Sequence, residues 1–327
     1  MKILLLGKIG GITRWVEDVA EDLALAGHTV KLVPTRNPRL SKSLERLLLS
    51  PMVGAPLAQL AVRAMRRFAP DLILAIGALD QHPRELFLPL FAATGRPPLV
   101  AWTGDSFDQD TAGIADLFDA VAYTDTGFLD LHRRFACRSA PHFLPLGASR
   151  ARMVDAALAG ARKPHLAFVA GPTPNRRAVL AATRHKVAIY GPGWQHAAEL
   201  TQHDRHSHRV LAPELARIHA EHLGVLNIRH GTHVINGLNQ RHFAPYVQGA
   251  PVVSDAQPDI PQCFDPGTEM LVFQDVEELN ELQAELLRAP ERARAVAIAG
   301  QRRVLAQHTY AHRVAALAAL MGVRPPG

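Results

Sequence analysis

The strongest constraint on the fold is an order of segments that occurs twice. A short apolar run closes on glycine, a turn of small residues follows, and then comes a stretch with helical spacing of apolar positions. It opens at Lys2–Gly7 and again at His165–Gly171, 163 residues later. After the first opening, Val16, Val19, Ala20, Leu23 and Ala24 fall on one helical face, with Thr13 placed to cap it and Gly27 to stop it. Thr29–Pro34 reads as the next strand, and the alternation continues through Asp71–Gly77, Pro98–Asp105, Ala120–Asp125 and His142–Gly147. After the second opening a helix is expected from Arg176, with strands at Lys186–Gly191, Val225–Ile228, Pro251–Asp255 and Met270–Phe273. Short apolar strands alternating with helices predict α/β domains, each a parallel sheet wrapped on both faces. Pro290 to Met321 reads as two helical pieces with no strand after them.

A chain of 327 residues has room for two such domains, and the restart divides it into 1–160 and 161–327. Hydrophobic residues make up 48%, charged residues 20%, and mean hydropathy is zero, which excludes long disorder. The apolar run Ile3–Leu6 is too short for a signal-peptide core or a membrane span. Two distant cysteines, Cys137 and Cys263, exclude a disulfide scaffold and point to the reducing cytoplasm.

The net charge of +6 and isoelectric point near 9.7 raise nucleic acid and anionic lipid as partners. Only 6 of the 36 basic residues are lysines, and the two halves carry 20 basic with 16 acidic and 16 basic with 14 acidic residues. No aromatic-basic ladder appears, so no nucleic-acid partner is expected. A solvated surface with a cleft for a phosphorylated ligand fits better.

In open parallel sheets, ligands bind beyond the carboxyl ends of the strands, where helix N-termini offer free amides to phosphate. Gly7-x-x-Gly10-Gly11 lets backbone approach an anion, or is simply a tight turn. It is not G-x-G-x-x-G, and the second strand ends Val33-Pro-Thr-Arg36 without an acid for ribose, which argues against a nicotinamide dehydrogenase. Asp105, in Trp102-Thr-Gly-Asp105-Ser106, is the first candidate for general base, with a turn or cap role as its alternative; His82 is the second. The histidines at 203, 206 and 208 read as a solvated loop, since no fixed frame holds them in metal-ligand spacing. Arg229–Asn236 reads as a polar loop and Gly237–Gln248 as a helix. Free amides at Asn236, Gly237, Leu238 and Asn239, with Arg241 one turn in, would form a diphosphate clamp. Arg176 or Arg177 would complete it.

Together these segments resemble the CgeB-like (spore-maturation type) glycosyltransferases of the GT-B architecture, two Rossmann-like domains facing a central cleft. The resemblance is carried by Gly237-Leu-Asn-Gln-Arg-His-Phe243, Gly249-Ala-Pro-Val-Val-Ser-Asp255, Cys263-Phe-Asp-Pro-Gly-Thr-Glu269, Glu277-Glu-Leu279 and Ala299-Gly-Gln-Arg-Arg303. His308-Thr-Tyr-Ala-His-Arg313 is the most specific match. Tyr190-Gly-Pro-Gly-Trp194 and Trp102-Thr-Gly-Asp105 with Leu144-Pro-Leu146 extend it over nearly the whole chain.

The resemblance implies transfer of a sugar from a nucleotide diphosphate sugar to an acceptor hydroxyl, with no cofactor and no metal. The N-terminal domain would hold the acceptor, the C-terminal domain the donor, and the last helix would cross back to the first domain. Acceptor-lining loops are expected at Arg36–Pro56 and His82–Leu90, and the nucleoside base would rest near Val210 and Leu211. Related retaining enzymes carry two glutamates where this chain has Asn236 and Ala244. That departure keeps open a non-catalytic sugar-nucleotide-binding or scaffold protein of the same fold.

Overall fold

The computed structural model describes residues 1–9, 14–35, 42–50, 52, 55–81, 84–104, 106–158, 160, 162–232 and 234–323. The chain divides into two compact units, Met1–Pro145 together with the chain from Tyr310, and Leu146–Thr309. The division falls earlier than 160 because the chain around Val154 and Ala156 packs into the second unit. There Val154 N–H donates to the Val247 carbonyl (2.7 Å), and the Gln301 amide both accepts from Ala156 N–H (3.0 Å) and donates to Val154 (2.7 Å).

The first unit carries β1 (Lys2–Gly7), β2 (Thr29–Pro34), β3 (Leu72–Ile76), β4 (Leu99–Thr103), β5 (Ala120–Tyr123) and β6 (Ala140–Phe143), all parallel, in the order β2-β1-β3-β4-β5-β6. β3, β4 and β5 are buried along their whole length, as strands covered on both faces must be. Asp108 and Thr111 form a capping box at the start of helix Gln109–Ala115, and Asp125 caps helix Thr126–Arg134. Trp102, fully buried, packs edge-on against Trp15 and Tyr310 and donates its indole N–H to the Leu144 carbonyl (3.0 Å). Helix Tyr310–Leu320 is seated by Asp22, which is fully buried and accepts from Ala311 N–H (2.7 Å).

The second unit carries β7 (Lys163–Val169), β8 (Val187–Tyr190), β9 (Asp204–His206), β10 (His222–Asn227), β11 (Val252–Asp255) and β12 (Leu271–Phe273), again all parallel. Their order, β12-β11-β10-β7-β8-β9, runs outward in both directions from the β7–β10 pair. That is the Rossmann order, and it creates a switch point where the loops after β7 and β10 diverge to opposite faces. Asp275 caps helix Val276–Arg288, and helix Pro290–Gln307 lies against the buried Tyr246.

Three expectations need correction. Residues 203–208 are not a loop: Asp204–His206 is an edge strand. His203 accepts from Val187 N–H (3.2 Å) and sits 2.7 Å from the Leu180 carbonyl, while His206 stacks on Tyr190 at 4.5 Å. Gly237–Gln248 is not one helix. Asn239 caps a single turn, Gln240–His242, and Pro245 begins a second short helix, Ala244–Val247. Within the stretch expected as an acceptor loop, Lys42–Leu49 is helical, and helix Pro56–Phe68 follows directly.

Alanine usually exceeds glycine in a helix interior by about 1 kcal/mol. A Cβ at Gly300 would collide with the Tyr246 ring, so Gly300→Ala should instead destabilise by about 1–3 kcal/mol in urea unfolding. Burial holds the His219 pKa at about 4 and that of His242 at about 3. Both lie below the roughly 6.5 of an unfolded histidine, so their stabilisation is complete above that pH. It is lost as pH falls, because the unfolded chain takes up protons that the native state excludes. Near pH 5 each should cost about 2 kcal/mol, measurable as a falling unfolding midpoint.

Candidate active site

The carboxyl ends of β7 and β10 place the key side chains of the second unit together. Helix Pro174–Ala182 starts three residues after the turn Ala170-Gly171, which sets Arg176 in its first turn. Arg176 is buried. Its Nε donates to the Ile228 carbonyl (3.1 Å), its Nη1 donates to the Gly171 carbonyl (3.0 Å), and its guanidinium lies over the Phe168 ring at 5.8 Å. It therefore ties the loop after β7 to the loop after β10. Gly191, after β8, has φ of 133°, and a side chain there would press on the Ala170 carbonyl, which also accepts from the Trp194 indole (2.7 Å).

Asn227, the last residue of β10, is completely buried and organises the next layer. Its Oδ1 accepts from Arg241 Nε (2.9 Å) and from the Asn239 amide (3.3 Å). Its own amide nitrogen lies within 3.1 Å of both ring nitrogens of His242. The Ser254 hydroxyl donates to the Asp255 carbonyl (3.0 Å), so His242 Nε2 donates to Ser254 Oγ (3.0 Å). Nδ1 is left to accept from Asn239 N–H (3.1 Å). His242 is thus a neutral, fixed imidazole supporting the cap, in keeping with its depressed pKa.

The electrostatics are those of an anion site. Burial first, and the neighbouring positive charge of Arg176 second, push the Arg241 pKa down to about 9, with Asp255 opposing. It remains charged at neutral pH. Among the described residues no partner is found for the two terminal nitrogens of Arg241. Burial also lowers the Arg176 pKa, again against Asp255. Burial pushes the Asp255 carboxyl up, while Arg229 N–H, the Gln257 amide and the Arg229 guanidinium at 3.5 Å pull it back. Three guanidiniums around one carboxylate leave an excess of positive charge, which suits a diphosphate. The buried Gln257 amide lies near enough to Asp255 to lower its pKa, yet among the described residues it closes no hydrogen bond of good geometry. The same side chain lines a cavity of about 390 Å³ with Ala256, Ile260, Gln274 and Arg292.

The sequence-derived candidates fall as follows. Arg176 and Arg241 come together, within reach of each other's charge. Arg177 does not join them: it is on the exposed side of its helix, in a two-pronged ion pair with Glu199 (2.5 and 2.8 Å). Asn236 accepts at its carbonyl from Asp259 N–H (3.1 Å), Gly237 and Leu238 are buried, and Asn239 caps the turn that carries Arg241. Val210 packs with Tyr190 and Ile218, while Leu211 is exposed at the N-cap of helix Ala212–Glu221. Gly10, Gly11, His82, Asp105 and Thr13, expected as a cap, lie outside the described residues, and the N-cap position of helix Trp15–Leu25 is Arg14. Glu269 is held by Arg303 (2.8 and 2.9 Å). Sequence reasoning missed Asn227, Asp255 and Gln257 as site residues. Their position at strand carboxyl ends was the available signal.

Two units of parallel sheet wrapped by helices, the second with a cationic site at its switch point, are the architecture of the GT-B glycosyltransferases. Residues 174–319 match the family model described as "Glycosyl transferase-like", so the second unit carries a glycosyltransferase-like domain. No curated protein sequence matches the chain. Among solved structures, the chain is similar to Anabaena HepE in complex with UDP and glucose, at 16% identity and TM-score 0.62, covering 99% of this chain and 100% of that one. It is similar to a glycosyltransferase from Rickettsia africae at 10% identity and TM-score 0.64, covering 98% and 97%. A UDP-forming α,α-trehalose-phosphate synthase from Burkholderia xenovorans gives 12% and 0.63, covering 99% of each chain. The expectation of a GT-B glycosyltransferase is borne out at the level of fold and class.

Removing the Asn227 side chain would orphan Arg241 Nε and the Asn239 amide together. Asn227→Ala should destabilise the chain by about 2–3 kcal/mol in chemical unfolding.

Proposed function

We propose that the protein transfers a sugar from a nucleotide diphosphate sugar to an acceptor hydroxyl. The observation that carries this reading is the convergence of Arg176 and Arg241 at the switch point, with terminal nitrogens of Arg241 left for a ligand. When the bond from the anomeric carbon to the diphosphate oxygen breaks, negative charge grows on the phosphate. Two fixed guanidiniums stabilise it, supplying the charge that a divalent metal would otherwise supply; the Asn239 N–H is taken by His242 and serves the cap instead. We therefore propose a metal-independent reaction without a cofactor. HepE binds UDP and UDP-glucose, which supports a uridine diphosphate sugar as the donor.

The acceptor oxygen forms the new bond to the anomeric carbon, and its proton passes to Asp105, with His82 as second candidate. In a retaining course the leaving diphosphate takes the proton. Asp255 is the carboxylate beside the arginine pair, and it takes over hydroxyl recognition from the glutamates replaced by Asn236 and Ala244. The Gln257 amide and its cavity offer further hydrogen bonds to a sugar ring. Membership of the CgeB-like group is supported by the Arg241-His-Phe243 and His308-Thr-Tyr310 motifs. No helix among the described residues is long and apolar enough to cross a membrane, and Cys137 and Cys263 form no disulfide, which supports a cytoplasmic enzyme.

The test is calorimetry with UDP-, GDP-, dTDP- and CMP-linked sugars and the free nucleotides. One nucleotide diphosphate should bind selectively. Arg241→Ala and Arg176→Ala should each weaken it by about tenfold or more, the scale of a lost charged hydrogen bond, and Arg177→Ala should leave it within about twofold. Equal loss in all three variants would sink the clamp. Asn236 and Ala244 favour a second reading, a binding protein without turnover. Selective binding with no sugar transfer to any acceptor or to water would establish it.

A further inference from the structure

The excess of positive charge is concentrated in one short stretch of the first unit. Residues 36–68 hold seven basic residues and one acid, Glu45, so this short segment carries a net +6, equal to that of the whole chain. Between Asp22 and Asp71 there is no acid but Glu45. Within it, in the first unit, Lys42–Leu49 and Pro56–Phe68 are helices that pack against each other. The second buries Ala58, Ala61, Val62 and Met65 on one face. Its outer face carries Leu60, Arg63, Arg66 and Arg67, and no hydrogen bond or ion pair is found for these arginines among the described residues.

The outer face of a helix in a soluble protein is normally polar. Among the described residues, four of the thirteen large exposed apolar side chains fall within seventeen residues: Leu44 (42%), Leu47 (52%), Met52 (94%) and Leu60 (51%). Isolated exposed leucines are ordinary; four large apolar side chains this close in sequence, with three exposed arginines following Leu60 on its own helix, have the composition of an interfacial segment. Nucleic acid would use the arginines but not the leucines and methionine, and the group includes no exposed aromatic side chain for base stacking.

We propose that this face is a docking surface for an anionic lipid bilayer. Leu44, Leu47, Met52 and Leu60 enter the boundary between headgroups and acyl chains, and Arg63, Arg66 and Arg67 meet the lipid phosphates. The charge complementarity commits the surface to lipid headgroups in a membrane rather than to free phosphate. Docking stands apart from the donor site and does not rest on the transfer reading. Its consequence for that reading is an acceptor reached at a bilayer surface.

The test is flotation of the full chain with vesicles of phosphatidylcholine alone, and of one part phosphatidylglycerol to two parts phosphatidylcholine. Binding is expected only to the anionic vesicles and should fall with added salt. Arg63→Gln/Arg66→Gln/Arg67→Gln should weaken it by about a hundredfold, from roughly fivefold per charge. Leu44→Ser/Leu47→Ser/Leu60→Ser should weaken it by about tenfold or more through lost insertion. Both variants should keep the wild-type melting curve and nucleotide affinity. Failure to float with anionic vesicles at low salt would overturn the proposal, as would binding that survives either triple substitution. Heparin binding lost only in the arginine variant, with no vesicle binding by the wild type, would reassign the face to a soluble polyanion.

Discussion

Two like charges held side by side in a partly buried place dominate the second unit. Burial disfavours both Arg176 and Arg241 as cations, Arg176 adds to the cost at Arg241, and the carboxylate beside them, Asp255, cannot neutralise both together with Arg229. Such an arrangement persists only where the scaffold over-determines it. Here Phe168 lies under one guanidinium, the Ile228 and Gly171 carbonyls accept from it, and Asn227 holds the other. A dianionic ligand would relieve the repulsion that the protein retains without it. The excess charge and the capacity to bind are thus one property.

The surrounding polar residues serve that pair. Asn227, Asn239, His242 and Ser254 form a closed set of hydrogen bonds in which every group has a defined role. Burial keeps His242 neutral, which adds no third positive charge beneath Arg241. The set occupies the chain around the positions where related retaining enzymes place glutamates, and it contains no acid. Asp255 stands instead at the end of the adjacent strand. A carboxylate moved from a helix to a strand terminus would meet the donor from a different side, and hydroxyl recognition would change with it.

The strand–glycine–helix rhythm was legible because burial on both faces demands continuous apolar runs, and glycine is needed where the turn presses on a neighbouring carbonyl, as at Gly191. Strand edges were less legible. β10 begins at His222, three residues before its apolar run, because polar His222 is buried against Tyr190 and His165. β9 was missed altogether, since Asp204-Arg205-His206 has an edge strand's polar composition. The break at Asn239–Pro245 was written in the capping asparagine and the proline, but the strong helical motif around Arg241 masked it. The basic helices of the first unit were equally visible as composition. Their significance depends on which face of each helix the fold buries.

The sequence by itself determined two α/β units, the class of chemistry and the segments that carry the anion site, because these rest on local periodicity and on residue types with few alternatives. Tertiary structure alone decided which arginine serves. Arg176 and Arg177 are neighbours in one helical turn with equal local credentials. A helix advances about 100° per residue, so one of them must face the sheet and the other must face solvent. Only the packing of helix Pro174–Ala182 on β7 and β10 turns Arg176 toward Ile228 and leaves Arg177 to Glu199.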